Sequence, residues 1–554
     1  DRINREHART IGRFLPENEA LSVVSTRWTH GLDLAIGHAI SGGDAEVRRR
    51  TWDALVRSRA LALDTLASRH AVEVRTTDPE VERLAADVES ARARLASVTV
   101  RDREQDPRAR RIAIDEALGE KQRAERAFAA RSAALAQQRE RSSVGLERVM
   151  ASLPPSSALV AYITSWDSDA YVAFVVRSGE SAPAVVRLGA AEEIDRLVGE
   201  WRRLLTKAPE EVGAEARARA AGERLRHRIW DPLRAHVAHA RRVFVVPDGS
   251  LNAVSFSALP SGPDRYLVED GPILHYLSAE RDLVPLEEPR RGEGLLVVGG
   301  PNYDDTSPEP VAPVVASGRT YRGSRSSCES FQRMRFAPLP ESDKEARRLV
   351  EIWSAARQAP AQRLGGEAAS EAAFKRLAPG RRVLHLATHA FLLGGACGSP
   401  NDTTPWIAGE DPLLLSGLAL AGANHRDTAG PNDEDGILTA EEIAALDLSG
   451  VEWAVLSACD TASGDFRMGE GVLGLQRAFR IAGARTLVMS LWPVDDRETR
   501  HFMEELYERR LRRGLDTAQA VRGAMLSVLA DRRLKGLDTH PFHWAGFLAS
   551  GDWR

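Results

Sequence analysis

Cysteine is almost missing from this chain: Cys328, Cys397 and Cys459 are the whole supply in 554 residues. They share no C-x-x-C or similar ligand spacing, and three is the wrong number for a disulfide framework. No metal and no cofactor is expected from them. The scarcity argues for a reducing compartment, so the expectation is a cytoplasmic protein. Long apolar runs are missing too. No stretch approaches the ~18 residues that a membrane-spanning helix needs, and a secretory leader is not expected. Lysine is nearly absent as well, at positions 121, 207, 344, 375 and 535, which reads as coding bias toward arginine. A formal net charge of −4 leaves no strong field for nucleic acid or an anionic membrane, so contact with neither is expected. The chain opens "DRINREHART" without a methionine, from which a fragment or processed product is expected, with domains upstream of residue 1.

What is present is ordinary for a globular protein: 43% hydrophobic and 28% charged residues. The length is too great for one core, and about three compact units are expected. Residues 1–152 read as helical. "EVRRRTWDALVRSRALALDTLASRH" has few breakers and many good helix formers. Leu84, Val88, Ala91 and Leu95 fall on one helical face. A second long charged helix runs through "RARRIAIDEALGEKQRAERAFAARSAALAQQRERS", so a helical hairpin projecting from the body is expected, as a solvated support or a partner-docking arm.

"LPPSS" then breaks the helical period. Short β-rich runs follow, among them "ALVAYITS", "AYVAFVV" and "RRVFVVPDG", alternating with helical stretches; this predicts an α/β layer unit over 153–290. A second α/β unit is expected over 291–554, with strands at "GLLVVGG", "RRVLHLATHA", "VEWAVLSACD" and "ARTLVMSLWPV". Residues 394–435, rich in Gly, Pro, Asn and Asp, read as a long, partly irregular insertion.

Three strands of the second unit finish in reactive residue types. "VLHLATHA" ends near His389, "AVLSACD" near Cys459, and "LVMSLWPVDD" runs out to Asp495 and Asp496. Ligands of open parallel sheets bind beyond the carboxyl ends of strands. A thiol with a free pKa of ~8.5 needs help at neutral pH, and a neighbouring imidazole can take its proton. The small loop "DTASGD" would leave the sulfur accessible and aim backbone amides at an oxyanion. A lone cysteine after a strand is nevertheless more often a buried small hydrophobe. His385 shares a strand face with His389, but no third ligand completes a metal site, so His385 reads as a packed strand residue. "GEGVLG" at 469–474 matches a dinucleotide fingerprint. It stands too far past the strand for a tight phosphate turn, and helix–sheet packing explains its glycines better.

"VLHLATHA", "DPLLLSGLALAGANH", "DGILTAEEIAALDLSG", "VLSACDTASGD", "GEGVLGLQRAFRIAGARTLVMSLWPVDD" and "HPFHWAGFLASGDW" occur in that order. Together they resemble the CHAT family, caspase-like domains associated with tetratricopeptide repeats, across roughly 150–554. "IGRFLPENEALSVVSTRWTHGLDLAIGHAI" resembles the last helices of a degenerate repeat array, and the helical lead-in after it resembles the segment that precedes such domains. The resemblance implies a bacterial-type cysteine endopeptidase related to caspases, gingipains and separase. It implies a caspase-like α/β sandwich whose 153–290 unit is a pseudo-protease and whose 291–554 unit is active. His389 maps to the general base and Cys459 to the nucleophile, with the amides of Cys459 and Ala390 at the oxyanion. Two positions depart from the pattern: Ala390 and Ala462 stand where the family usually has glycine. By the same resemblance Asp495 and Asp496 would hold a basic P1 side chain; capping of the helix that follows is the rival reading. The expected partners are a protein substrate and an activating protein docked on the helical region. The alternatives are an inert scaffold or protein-binding module and, less well supported, a nucleotide-binding enzyme.

Overall fold

The computed structural model describes residues 29–60, 63–64, 66–68, 70, 78–100, 107–136, 144–165, 168–206, 208–285, 291–305, 321–322, 324–326, 334–356, 359–393, 413, 416–429, 434–458, 466–467, 471–472 and 474–554. The β-branched runs become the strands of one sheet. Its first five are β1 (Ser157–Ser165), β2 (Ala170–Arg177), β3 (Ala184–Ala190), β4 (Arg242–Val246) and β5 (Ile273–Tyr276). Then come β6 (Glu293–Pro301), β7 (Ala361–Gly366), β8 (Arg381–Ala387), β9 (Trp453–Leu456), β10 (Thr486–Ser490) and β11 (Phe547–Gly551). The spatial order is β3-β2-β1-β4-β5-β11-β10-β9-β8-β6-β7. β6 to β10 are mutually parallel, as β1, β4 and β5 are. β11 joins the two stretches, antiparallel to β10 and parallel to β5 through Ser550 and Tyr276. The α/β class read from the sequence is what the chain adopts.

Alternation along β1 sends its side chains to two different cores. Leu159, Ala161 and Ile163 join Leu32 and Ile36 of the lead-in helix α1 (Thr29–Ile40) and Trp52, Leu55 and Val56 of α2 (Ala45–Ser58). The N-terminal helices thus cover a sheet face that would otherwise be bare. Of three consecutive residues, two bind this lead-in and the third binds the second half of the sheet. Glu280 accepts from Trp52 Nε1 at 3.1 Å, Arg281 pairs with Asp64 at 2.5 Å, and Asp282 takes Arg480 in two hydrogen bonds of 3.1 and 2.7 Å.

The expected hairpin is formed by α3 (Pro79–Val100) and α4 (Pro107–Ala136). Leu84, Val88, Ala91 and Leu95 are all buried, and Phe128 packs with the first two. It does not stand clear of the body. Arg92 Nε and Lys121 Nζ each lie 2.9 Å from Glu441 Oε1, and Glu441 is fully buried. The other face of β1 places Ala158, Val160 and Tyr162 in one core with residues of α5 (Ala191–Leu205) and α6 (Ala214–Ile229), Trp201 and Leu225 among them.

Around β6 to β11 lie α7 (Pro340–Ala356), α8 (Glu371–Leu377), α9 (Ala440–Ala444), α10 (Leu475–Ile481), α11 (Asp496–Tyr507) and α12 (Thr517–Leu534). α7 packs on β6 and on α11. A small four-stranded sheet, in the order 437–439, 416–419, 390–393, 324–326, stands beyond the end of β8. The described part of the expected insertion at 394–435 therefore has regular structure, a strand at Ser416–Ala419 and a helical turn at Ala423–Thr428. Among the described residues no helix is long and apolar enough to cross a membrane.

Candidate functional site

β8 and β9 are neighbours in parallel register, with His385 opposite Val455 and Leu386 opposite Leu456. His389 stands three residues past Leu386, and Cys459 three residues past Leu456. The topology thus makes all three predicted strands neighbours, in the order β8, β9, β10. Cys459 itself, with Cys328, Cys397 and Ala462, lies outside the described residues. Its approach is well defined. Ser457 and Ala458 are buried, and Ser490 Oγ, at the end of β10, donates to the Ala458 carbonyl at 2.5 Å.

His389 is buried at 7% exposure and held on several sides. Its Nε2 lies 2.8 Å from the Ala337 carbonyl. Tyr303 and Phe336 flank the ring at centroid distances of 5.3 and 5.7 Å. Its own carbonyl accepts from Ala419 N at 2.9 Å. Thr388 is fixed in turn by the Tyr303 hydroxyl and the Ala419 carbonyl. A carbonyl can only accept, so in the neutral ring Nε2 carries the proton and Nδ1 does not. Ala337 acts through its backbone and left no signal in the sequence. Ala390 begins the strand 390–393 opposite Leu418. It is not among the described non-glycine residues with positive φ, which are Ala60, Ser156, Asp169 and His239. Alanine is unstrained where the family pattern has glycine.

A polar cluster that sequence reasoning missed joins the ends of β8 and β9. Glu345 of α7 is fully buried, and its Oε1 faces His385 Nε2 at 2.7 Å while accepting from Ser457 Oγ at 2.8 Å. Tyr507 OH meets His385 Nδ1 at 3.3 Å, and burial raises its phenol well above 10, so it stays protonated and donates. His385 is a packed strand residue, yet not an apolar one. A signal existed: Glu345 shares the buried stripe of α7 with Ser342, Ala346, Leu349 and Ile352. A carboxylate on such a stripe needs a partner.

The third strand end behaves differently. Asp495 Oδ1 caps α11, accepting from Arg497 N at 3.0 Å and Glu498 N at 3.2 Å, and the residue is half-buried. Asp496 is buried, and its Oδ2 accepts from Glu341 N at 3.0 Å in the first turn of α7. Gly474, the last glycine of "GEGVLG", has φ +103° at the start of α10, a conformation that favours glycine for backbone reasons. Among the described residues, Glu371, Glu434 and Glu442 converge closely enough to hold a cation, but Lys375 Nζ sits among them at 2.6, 2.8 and 2.9 Å.

Comparison with known proteins bears on this arrangement. The sequence model of one family, described as CHAT domain, matches residues 219–552. Tetratricopeptide repeat protein 28 of Homo sapiens is 25% identical over 328 residues, which is 57% of this chain and 12% of that protein. Its Mus musculus counterpart is 34% identical over 115 residues, 21% of this chain and 4% of that protein. The chain therefore spans only a small part of the curated relatives it matches. Among solved structures, a Saccharomyces cerevisiae separase–securin complex aligns with a TM-score of 0.40 and 9% identity, over 92% of this chain and 38% of the other. The Arg-specific cysteine proteinase gingipain R aligns with a TM-score of 0.34 and 8% identity, over 66% and 74%.

Proposed function

The chain belongs to the CHAT domain family, and from that premise we propose that it is a cysteine endopeptidase cutting a protein partner at a restricted site. The observation that carries the reading is the matched position of residues 389 and 459 past the last paired rungs of β8 and β9. His389 Nδ1 takes the thiol proton of Cys459, and the thiolate attacks the scissile carbonyl. The imidazolium then gives that proton to the departing amine. An acyl-enzyme remains, which water hydrolyses. The amides of Cys459 and Ala390 are the proposed donors to the oxyanion.

Asp495 is the better placed of the two acidic residues to meet a basic P1 side chain, because Asp496 is buried under Glu341. Asp495 Oδ1 is engaged in capping, so a guanidinium would be met by Oδ2. No helper metal enters this chemistry. The lead-in helices and the α3–α4 hairpin are the proposed docking region for an activating protein, and a reducing cytoplasm is the compartment that would keep Cys459 a thiol.

A proteome-wide comparison of peptides released by the unaltered chain and by Cys459→Ala tests the reading. Cleavages present in the first and missing from the second are expected, and they also reveal the P1 residue. Equal cleavage by both proteins would overturn it. Partner binding without cleavage by either would replace the enzyme with a scaffold. If P1 proves basic, Asp495→Asn should weaken cleavage after arginine more than it lowers thermal stability.

A further inference from the structure

We infer that Glu345 is a positioning residue that sets the spacing between the strand ends carrying His389 and Cys459. The inference rests on the thiol–imidazole reading above and deepens it. One carboxylate oxygen, Glu345 Oε1, ties two neighbouring strands together. It faces His385 Nε2 on β8 at 2.7 Å and accepts from Ser457 Oγ just past β9 at 2.8 Å. His385 is four residues before His389, and Ser457 is two before Cys459. The tie therefore joins the ends of the two strands just before the segments that carry residues 389 and 459.

The tie is itself braced. Tyr507 OH donates to His385 Nδ1, so both imidazole nitrogens of His385 are held and Nε2 is left as the donor to Glu345. Glu345, His385, Ser457 and Tyr507 come from α7, β8, the end of β9 and α11. All four side chains are fully buried. Burying a carboxylate costs more than burying an apolar side chain of similar volume. What such a group supplies that packing cannot is direction: two short hydrogen bonds to one atom fix two backbones laterally. A thiol and an imidazole that must exchange a proton are sensitive to a misplacement of ~1 Å.

The test uses the full chain carrying Cys328→Ser and Cys397→Ser, so that Cys459 is its sole thiol, and iodoacetamide as the probe. Alkylation rate against pH reports when the thiolate forms. In the parent chain the midpoint is expected below the ~8.5 of a free thiol. In Ser457→Ala and Glu345→Gln it should rise by about one pH unit or more toward that value, while Ser457→Thr, which keeps the hydroxyl, should restore the parent profile. Thermal unfolding midpoints accompany each variant. Ser457→Ala removes only a hydroxyl and keeps the test open should Glu345→Gln fail to fold. A depressed midpoint in the parent that persists in folded Ser457→Ala would overturn the positioning role and leave the thiol–imidazole reading standing. A parent midpoint at the free-thiol value would overturn both.

Discussion

The two stretches of the sheet use their polar residues differently. In β1 to β5 the polar groups at the strand ends are spent on structure. Asp248, past β4, is buried and accepts from Thr164 N at 2.9 Å, and His275 of β5 points Nε2 at the Gly551 carbonyl at 2.9 Å. That stretch contains no cysteine at all. In β6 to β10 the same kinds of residue gather where β8 and β9 end. Glu345, His385 and Ser457 form one hydrogen-bonded cluster, and His389, four residues past His385, has its Nε2 turned to a carbonyl. The lesson is that burial and hydrogen bonding alone do not distinguish a structural histidine from a candidate base. What sets His389 apart is that a cysteine stands at the matching distance past the neighbouring strand.

Mirrored substitutions would break that contrast most sharply. His389→Ala should lower kcat/KM about 10³-fold, whereas His275→Gln should leave the rate at the unaltered level; equal losses in a cleavage assay would erase the distinction. Next in size, Trp52→Ala in α2 removes a fully buried indole and its hydrogen bond to Glu280. It should destabilise the β1–β5 stretch by about 3–5 kcal/mol, read as a lower denaturation midpoint. Glu441→Gln strips Arg92 and Lys121 of a buried counter-charge and should cost about 3 kcal/mol, appearing as faster hydrogen exchange in peptides from α3 and α4.

A smaller effect depends on pH. Burial holds the His275 imidazole down at about 4, against 6.5 in the unfolded chain. The unfolded state therefore takes up a proton that the native state refuses between those values. Stability should fall by about 1.4 kcal/mol for each pH unit on going from 6.5 to 4, and this contribution is constant above 6.5. In His275→Gln that part of the slope should vanish, as followed by thermal midpoints across the range. Smallest of all, Asp495→Ala should cost about 1 kcal/mol through the lost α11 cap; no change in midpoint would mean that the cap is idle.

Much of this was legible in the sequence. The helical face Leu84, Val88, Ala91 and Leu95 gave the hairpin, because a 3.6-residue period reports one-sided burial directly. Period-2 and all-apolar runs gave the strands, and two of their ends carry the candidate pair at 389 and 459. What was not legible depends on groups distant in the chain. Glu345 meets His385 across 40 residues and Ser457 across 112, and nothing local announces either contact. The docking of the hairpin on Glu441 was hidden for the same reason, since a charged helix predicts solvent unless its partner is known. Ala337 contributes a carbonyl, which every residue has.

β11 carries a consequence for biogenesis. It lies between β5 and β10, yet it is the last of the eleven strands to leave the ribosome. Between Ser490 and Phe547 another 57 residues must be added, which takes roughly 3–11 s at ~5–20 residues per second. Throughout that interval β5 and β10 present unpaired edges, the sort of surface that chaperones shield and stray strands invade. The rung pairs beside residues 389 and 459 are one strand removed from that opening. A half-made chain would therefore leave the strands beside residues 389 and 459 without half of the sheet that supports them.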